Sequence, residues 1–202
     1  FMGHSQGGIT GAMFFGVEPL IAGGVFSGSG GGLSITLMER KDLFDIEAMI
    51  REAFWIDDQD ELTTFHPVIM LIQMIADATD PLNYAPFYFT SDGDTGPRDV
   101  LITEGLFDDQ TPPSTTDALA AAARIPLLWP PAKIPVSHNI LGLSPVYPPV
   151  SDNITADGKK ATAALIHFPE NDHFAIYQNH DAVAYYQSFL ASLGYSGTAI
   201  IK

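Results

Sequence analysis

Apolar residues along this chain fall in short blocks with two different spacings. Residues 9–15 are apolar and small, with Gly11 and Ala12 among them, which suits a buried helix held tight against a sheet and ended by Gly16. Residues 20–26 (Leu-Ile-Ala-Gly-Gly-Val-Phe) form a continuous apolar run bounded by Pro and Gly, the pattern of a buried parallel strand. Leu43, Ile46, Ile50 and Phe54 recur at helical spacing. Pro67 opens a second helical stretch, apolar nearly all round at Val68, Ile69, Leu71, Ile72, Met74 and Ile75. Residues 99–103 read as a buried strand, and 114–124 as an Ala-rich helix with Ser114 or Thr115 placed to cap it. Residues 161–167 give the last strand, and 182–193 a closing helix with Val183, Tyr186, Phe189 and Leu190 at helical spacing. Phe1-Met2 reads as the end of a further strand. Strand and helix alternate, which predicts an α/β layered fold on a parallel sheet.

The segments between these blocks are less regular. Residues 27–32 (Ser-Gly-Ser-Gly-Gly-Gly) have no accompanying Lys or P-loop pattern, so a flexible turn near a site mouth is expected rather than a phosphate cradle. Residues 33–97 carry the two amphipathic helical stretches and an aromatic cluster, Tyr84, Phe87, Tyr88 and Phe89. This block is either a packing layer or a helical cap over an apolar acyl pocket. Residues 91–96 resemble part of a Ca²⁺ loop but lack the distal Glu, so a turn is expected. Residues 125–157 are rich in proline and form an extended excursion, with Trp129 and Tyr147 as candidate rim contacts.

Composition narrows the function. The chain has 202 residues, 46% of them hydrophobic, enough for one globular core. Its net charge of −15, with no basic cluster, disfavours nucleic acid and anionic lipid headgroups as partners. No apolar run is long enough for a transmembrane segment. Without cysteine there is no disulfide, thiolate nucleophile or Cys-based metal site. The acidity, few lysines and lack of cysteine weakly favour a secreted or cell-envelope location. No metal site and no cofactor are expected.

The chemistry sits at the strand ends. Gly3-His4-Ser5-Gln6-Gly7 is a G-x-S-x-G pattern at a predicted strand-to-helix turn. At such a turn the serine occupies a strained backbone conformation, and Gly3 and Gly7 leave room where strand and helix cross, while Gly8 helps the helix pack on the sheet. The Gln6 N–H, at the helix start, can face a developing oxyanion. A serine hydroxyl needs a base, and the base needs an orienting carboxylate. Asp108 follows the third predicted strand and His173 the fourth, giving the order Ser5, Asp108, His173. Asp109 is the rival acid, and Glu104 fits a strand end better than a site. His167 is the rival base, placed at a strand terminus rather than on a loop. His66, His138 and His180 have no partner pattern, His4 is a neighbour of the serine, and Asp172 need not reach the adjacent imidazole.

These motifs together resemble a serine α/β-hydrolase of the esterase/lipase type. Gly3-His4-Ser5-Gln6-Gly7-Gly8 is similar to the nucleophile elbow of that fold. Gly105-x-x-Asp108 with Pro112 is similar to its acid loop, and Asp172-His173-Phe174 to its histidine loop. The resemblance covers nearly the whole chain and implies an α/β-hydrolase-like parallel sheet flanked by helices, with 33–97 as a helical cap insertion. It implies Ser5, Asp108 and His173 as the triad, with Gln6 and His4 as oxyanion or substrate contacts. The expected substrate is a small-molecule or lipid ester, of medium or long acyl chain if 68–75 and 84–89 line the pocket. A peptidase or acyltransferase on the same fold, or a non-catalytic binding domain, are the alternatives. The family sheet has about eight strands, and four are legible here. The N-terminal strands and the second oxyanion donor are therefore expected upstream of Phe1, as a missing N-terminal part on which activity depends.

Overall fold

The computed structural model describes residues 1–42, 45–90 and 96–202. Leu43 and most of the 91–96 turn, two of the expectations above, lie outside these residues. In chain order the main elements are β1 (Met2–His4), α1 (Gln6–Val17), β2 (Gly23–Ser27), α2 (Leu33–Glu39), α3 (Ile46–Phe54) and α4 (Pro67–Ala76). Then follow β3 (Asp99–Gly105), α5 (Pro113–Ala122), α6 (Val136–Leu141), β4 (Ile154–Ala156), β5 (Lys159–Ala161), β6 (Ala163–Phe168), α7 (Ala175–Gln178) and α8 (His180–Ser196). Strands β1-β2-β3-β6 lie side by side in that order, all parallel, so their carboxyl ends share one edge. Hairpin β4-β5 stands apart from this sheet.

Side chains of a strand alternate between faces, and here both faces are covered. Phe26, Val100, Ile102, Ala163 and Leu165 pack on one side with Ala12 and Phe15 of α1 and Leu119 and Ala120 of α5. Val25, Leu101, Ala164 and Ile166 pack on the other with Ala182 and Phe189 of α8. This double burial explains why β2, β3 and β6 read as unbroken apolar runs rather than as alternating ones. The α/β architecture on a parallel sheet is as expected.

Several local expectations change. The stretch expected as one strand over 161–167 is two, β5 and β6, broken at buried Thr162. There the Thr162 N–H donates to Asp99 Oδ1 (2.6 Å) and its hydroxyl to the Ala199 carbonyl (2.8 Å). Neither Ser114 nor Thr115 caps α5. The N-cap is Pro112, whose ring presets the entry, and Thr115 Oγ1 donates back to its carbonyl at 2.7 Å. Helix α1 runs one residue past Gly16, to Val17. Residues 27–32 are all buried and tied down rather than a loose turn. Thr116 Oγ1 donates to the Ser29 carbonyl (2.7 Å), Gly31 N–H to the Thr115 carbonyl (3.1 Å), and Gly32 N–H to the Asp80 carboxylate (2.9 Å).

Of the aromatics of 84–89, Tyr88 and Phe89 join the core, Tyr84 is half-buried and Phe87 is exposed. Tyr88 is fully buried against Phe15 (ring centroids 5.1 Å), with its hydroxyl on the Ala12 carbonyl (2.9 Å). Helix α4 presents Val68, Ile69 and Ile72 to a small cluster with α3, and leaves Met70, Leu71, Met74 and Ile75 exposed. Only one face of α4 meets protein, so its all-round apolar pattern is half used. In the excursion, Leu127 bridges Leu165 in parallel and Leu128 bridges Val146, which extends the sheet beyond β6. Trp129 and Tyr147 stack on each other, ring centroids 5.1 Å apart. Among the described residues, no helix is long and apolar enough to cross a membrane.

Candidate functional site

The turn at the carboxyl end of β1 forces Ser5 into φ 56°, ψ −128°, a backbone conformation that L-residues avoid. It is held there by its N–H donating to the Ser27 carbonyl at the end of β2 (2.9 Å), while its own carbonyl accepts from Ile9 N–H (3.0 Å). The crossing of strand and helix is tight at Gly3, where an added Cβ would lie 2.4 Å from the Gly7 carbonyl oxygen. Gly7 itself faces open space, contrary to the expected crowding. The crowded helix position is Gly8, whose Cβ would meet Ser29 Cβ at 2.8 Å. Gln6 begins α1 beside the serine, with its side chain turned to Thr10 Oγ1 (3.3 Å).

Asp108 and His173 come together on the same sheet edge. Asp108 Oδ2 lies 2.7 Å from His173 Nδ1, and both side chains are almost fully buried. The other carboxylate oxygen, Oδ1, accepts from the N–H groups of Gln110 (2.9 Å) and Thr111 (2.7 Å). A carboxylate fixed at both oxygens orients the ring, and the geometry suits the tautomer with its proton on Nδ1. That leaves Nε2, buried and without a hydrogen-bond partner among the described residues. The two loops that carry the pair also touch. Leu106 N–H donates to the Phe168 carbonyl (3.1 Å) and Phe107 N–H to that of Asn171 (2.9 Å). Gly105 permits this approach, since a Cβ there would sit 2.1 Å from the Asp172 carbonyl oxygen.

The imidazole of His173 reaches across the end of β2 towards β1. An added Cβ on Gly28, at φ +49°, would lie 2.8 Å from its Cε1 and 3.1 Å from His4 Cε1. His4 packs between His173 (ring centroids 4.7 Å) and Tyr177 (4.9 Å), with Nδ1 3.3 Å from Ser27 Oγ. Burial, and then the neighbouring His173, lower its pKa. It packs on the His173 ring, and neither histidine lines the cavity beside Ser5.

That cavity, ≈ 240 Å³, is walled by Gln6, Ile9, Thr36, Arg40 and Thr111. A second cavity of ≈ 240 Å³ adjoins it and shares Gln6, Ile9, Thr36 and Arg40, with Leu33 and Pro81 beyond. The wall next to the serine thus mixes polar and apolar side chains, and no residue of 68–75 or 84–89, the stretches expected to form an acyl slot, lines either cavity. Trp129 and Tyr147 do not line them either.

No family model matches the chain, and no curated protein matches it. Solved structures do. Uncomplexed acylaminoacyl peptidase from Pyrococcus horikoshii superposes at 14% identity with a TM-score of 0.53, and its orthorhombic crystal form at 13% and 0.52. An acylaminoacyl peptidase in complex with Z-Gly-Gly-Phe-chloromethyl ketone gives 14% and 0.51. The chain has the α/β-hydrolase fold. Each match covers 96% of this chain and 23% of the other, so the chain spans less than a quarter of the length of those proteins.

Within this α/β-hydrolase fold the rival residues have other places. Asp109 is exposed, and its carbonyl accepts from Lys41 N–H (3.1 Å). His66 caps α4 by accepting from Val68 N–H (3.2 Å), and His180 is the first residue of α8. His138 does have a partner, the Ile125 carbonyl, 3.0 Å from its Nε2. Glu104 and His167 form a buried group with Asp117 and Lys133. Lys133 Nζ bridges Glu104 Oε1 (2.9 Å) and Asp117 Oδ2 (2.7 Å), and His167 Nε2 lies 3.9 Å from each carboxylate. Burial, and then Asp117, push the Glu104 carboxyl up to about 8, and burial holds His167 down to about 4. Three of these residues offer atoms at metal-ligand separation, but the Lys133 ammonium already supplies the cation. Sequence reasoning passed over Arg40, Asp117 and Lys133. Asp117 and Lys133 are single charges in an ordinary helix and loop, and Arg40 lies within the mixed run Glu39-Arg40-Lys41-Asp42, with no spacing to mark any of them.

Proposed function

We propose that the chain carries the nucleophile, base and acid of a serine hydrolase that cleaves carboxylic esters through an acyl-enzyme. Ser5 Oγ attacks the ester carbonyl as His173 Nε2 takes its proton. Asp108 holds the imidazole in the right tautomer and faces the imidazolium that forms. The negative charge growing on the carbonyl oxygen faces the Gln6 N–H at the start of α1. His173 returns the proton to the departing alcohol. Water then repeats the sequence on the acyl-serine, and Ser5 is restored. Residues 33–97 act as a cap that shapes the pocket.

The observation that carries this reading is the 2.7 Å Asp108–His173 bond, which leaves Nε2 buried and, among the described residues, unpaired, on the sheet edge that also holds the strained Ser5. Peptide bond cleavage is the second reading, favoured by the fold shared with proteins named acylaminoacyl peptidase. The chemistry of the three side chains is common to both.

The test is Ser5→Ala in the full-length protein, assayed on p-nitrophenyl butyrate and on an acetyl-aminoacyl p-nitroanilide. Loss of turnover on the ester supports the assignment, and retained turnover refutes it. A wild-type kcat/KM higher on the anilide favours the peptidase. Labelling of wild type by a fluorophosphonate, absent in Ser5→Ala, separates an enzyme from a binding domain.

A further inference from the structure

Arg40 is the only charged side chain lining the cavity beside Ser5 among the described residues, and it also borders the adjoining one. Its backbone is firmly placed. It caps the carboxyl end of α2 with its N–H on the Thr36 carbonyl (3.0 Å). The next residue, Lys41, donates its N–H to the Asp109 carbonyl (3.1 Å), which fastens the end of α2 to the loop carrying Asp108. On the other side, Ser114 Oγ bonds the Glu39 carboxylate. A cation set this way, in a protein of net charge −15, is not there for general solubility.

The guanidinium meets a carboxylate in fork geometry. Nε bonds Asp42 Oδ1, and Nη2 bonds Asp42 Oδ2 at 2.9 Å. This is the bidentate arrangement by which arginine recognises a free planar carboxylate. Asp42 is two residues away on the same segment, and its side chain is the more buried of the two (13% against 36% exposed). The pair flanks Lys41, whose N–H on the Asp109 carbonyl sets it beside the loop that carries Asp108. The other acid beside these cavities, Asp80, is already committed. It accepts from the N–H groups of Gly32, Leu33 and Leu82 and from Gln73 Nε2. Arg40 is the one cation lining these cavities among the described residues, and an anionic ligand would reach its fork by taking the place of Asp42. The remaining wall sets the hydroxyls of Thr36, Thr111 and Thr115 and the amide of Gln110 beside the hydrocarbon of Ile9.

We propose that Arg40 is a substrate-recognition residue whose guanidinium takes a carboxylate carried a few bonds from the scissile ester, with Asp42 as the resident carboxylate that the substrate displaces. The substrate class is then the half-ester of a short dicarboxylic acid, or the ester of a short hydroxy acid. This rests on the hydrolase reading for its purpose, but its test does not need turnover.

Calorimetric titration of the full-length Ser5→Ala protein compares two matched pairs. Monomethyl glutarate against methyl pentanoate places the charge on the acyl side. 4-Acetoxybutanoate against butyl acetate places it on the alcohol side. The acid of one pair should bind at least 10-fold more tightly than its neutral mate. Adding Arg40→Gln should erase that preference, Arg40→Lys should retain part of it, and Asp42→Asn should increase it at least threefold. No preference in either pair, a preference that survives Arg40→Gln, or one that Asp42→Asn leaves unchanged overturns the proposal. If wild type hydrolyses none of these esters while the binding preference holds, the hydrolase reading fails and the anion site stands.

Discussion

Gly28→Ala tests the placing of the His173 imidazole without replacing Ser5, Asp108 or His173. The new Cβ would stand 2.8 Å from Cε1 and 2.9 Å from Nδ1 of the ring. Non-bonded carbons settle at about 3.5–4.0 Å, so the ring must retreat by roughly 0.7 Å or more. The backbone cannot yield easily, because residues 27–32 are buried and bonded on every side. The retreat strains the 2.7 Å bond to Asp108 and displaces Nε2. A misplacement near 1 Å costs about 100-fold in rate. Alanine at φ +49° adds about 1–2 kcal/mol of backbone strain. We expect kcat on p-nitrophenyl butyrate to fall about 100-fold, with a loss of stability of about 1–2 kcal/mol from urea denaturation. A folded variant with kcat within threefold of wild type would refute the placing of the ring.

Other perturbations follow from the same structure. Asp80→Ala leaves the N–H groups of Gly32, Leu33 and Leu82 without their acceptor in a buried setting. We expect a loss of about 3 kcal/mol in urea denaturation, with Asp80→Asn milder because one carbonyl oxygen remains. Glu104, protonated up to about pH 8, binds a proton that the unfolded chain gives up near its ordinary 4.5, so its contribution falls as pH rises through that window. His167, lowered to about 4, works in the opposite sense between 4 and 6.5. Above pH 6.5 the His167 effect is spent and that of Glu104 remains, at most about 1.4 kcal/mol per pH unit. The melting temperature should therefore drop between pH 6.5 and 8, and Glu104→Gln should flatten that drop.

The legible parts of the molecule were those where one local rule governs. Buried parallel strands show as apolar runs, and β2, β3 and β6 lie close to where 20–26, 99–103 and 161–167 place them. The meeting of Asp108 with His173 was legible because each follows a strand whose carboxyl end shares an edge. The pocket was not. The sequence shows that 68–75 is apolar, but not which way a helix turns, and four of those side chains face outward. Arg40 enters the cavity through the angle at which α2 meets the acid loop, a long-range matter that no local spacing encodes. The Glu104–Asp117–Lys133–His167 group is hidden for the same reason. Its members come from two strands, a helix and a proline-rich loop, and become neighbours only in the folded sheet.

The backbone bond from Lys41 to Asp109 has a practical consequence for making chimaeras. A swap of the helical block 33–97 between proteins of this fold would place its first joint at residue 33, since that is where the sheet ends and the helices begin. Such a joint would exchange Glu39, Arg40 and Lys41 and sever the seam between the end of α2 and the acid loop. Moving the joint past Asp42 keeps that seam with the recipient. The transplanted part then begins with α3, whose packing partners Leu62, Val68 and Ile69 travel with it, though Leu37 and Met38 of α2 stay behind. Those two positions are where a graft of new specificity would need repair.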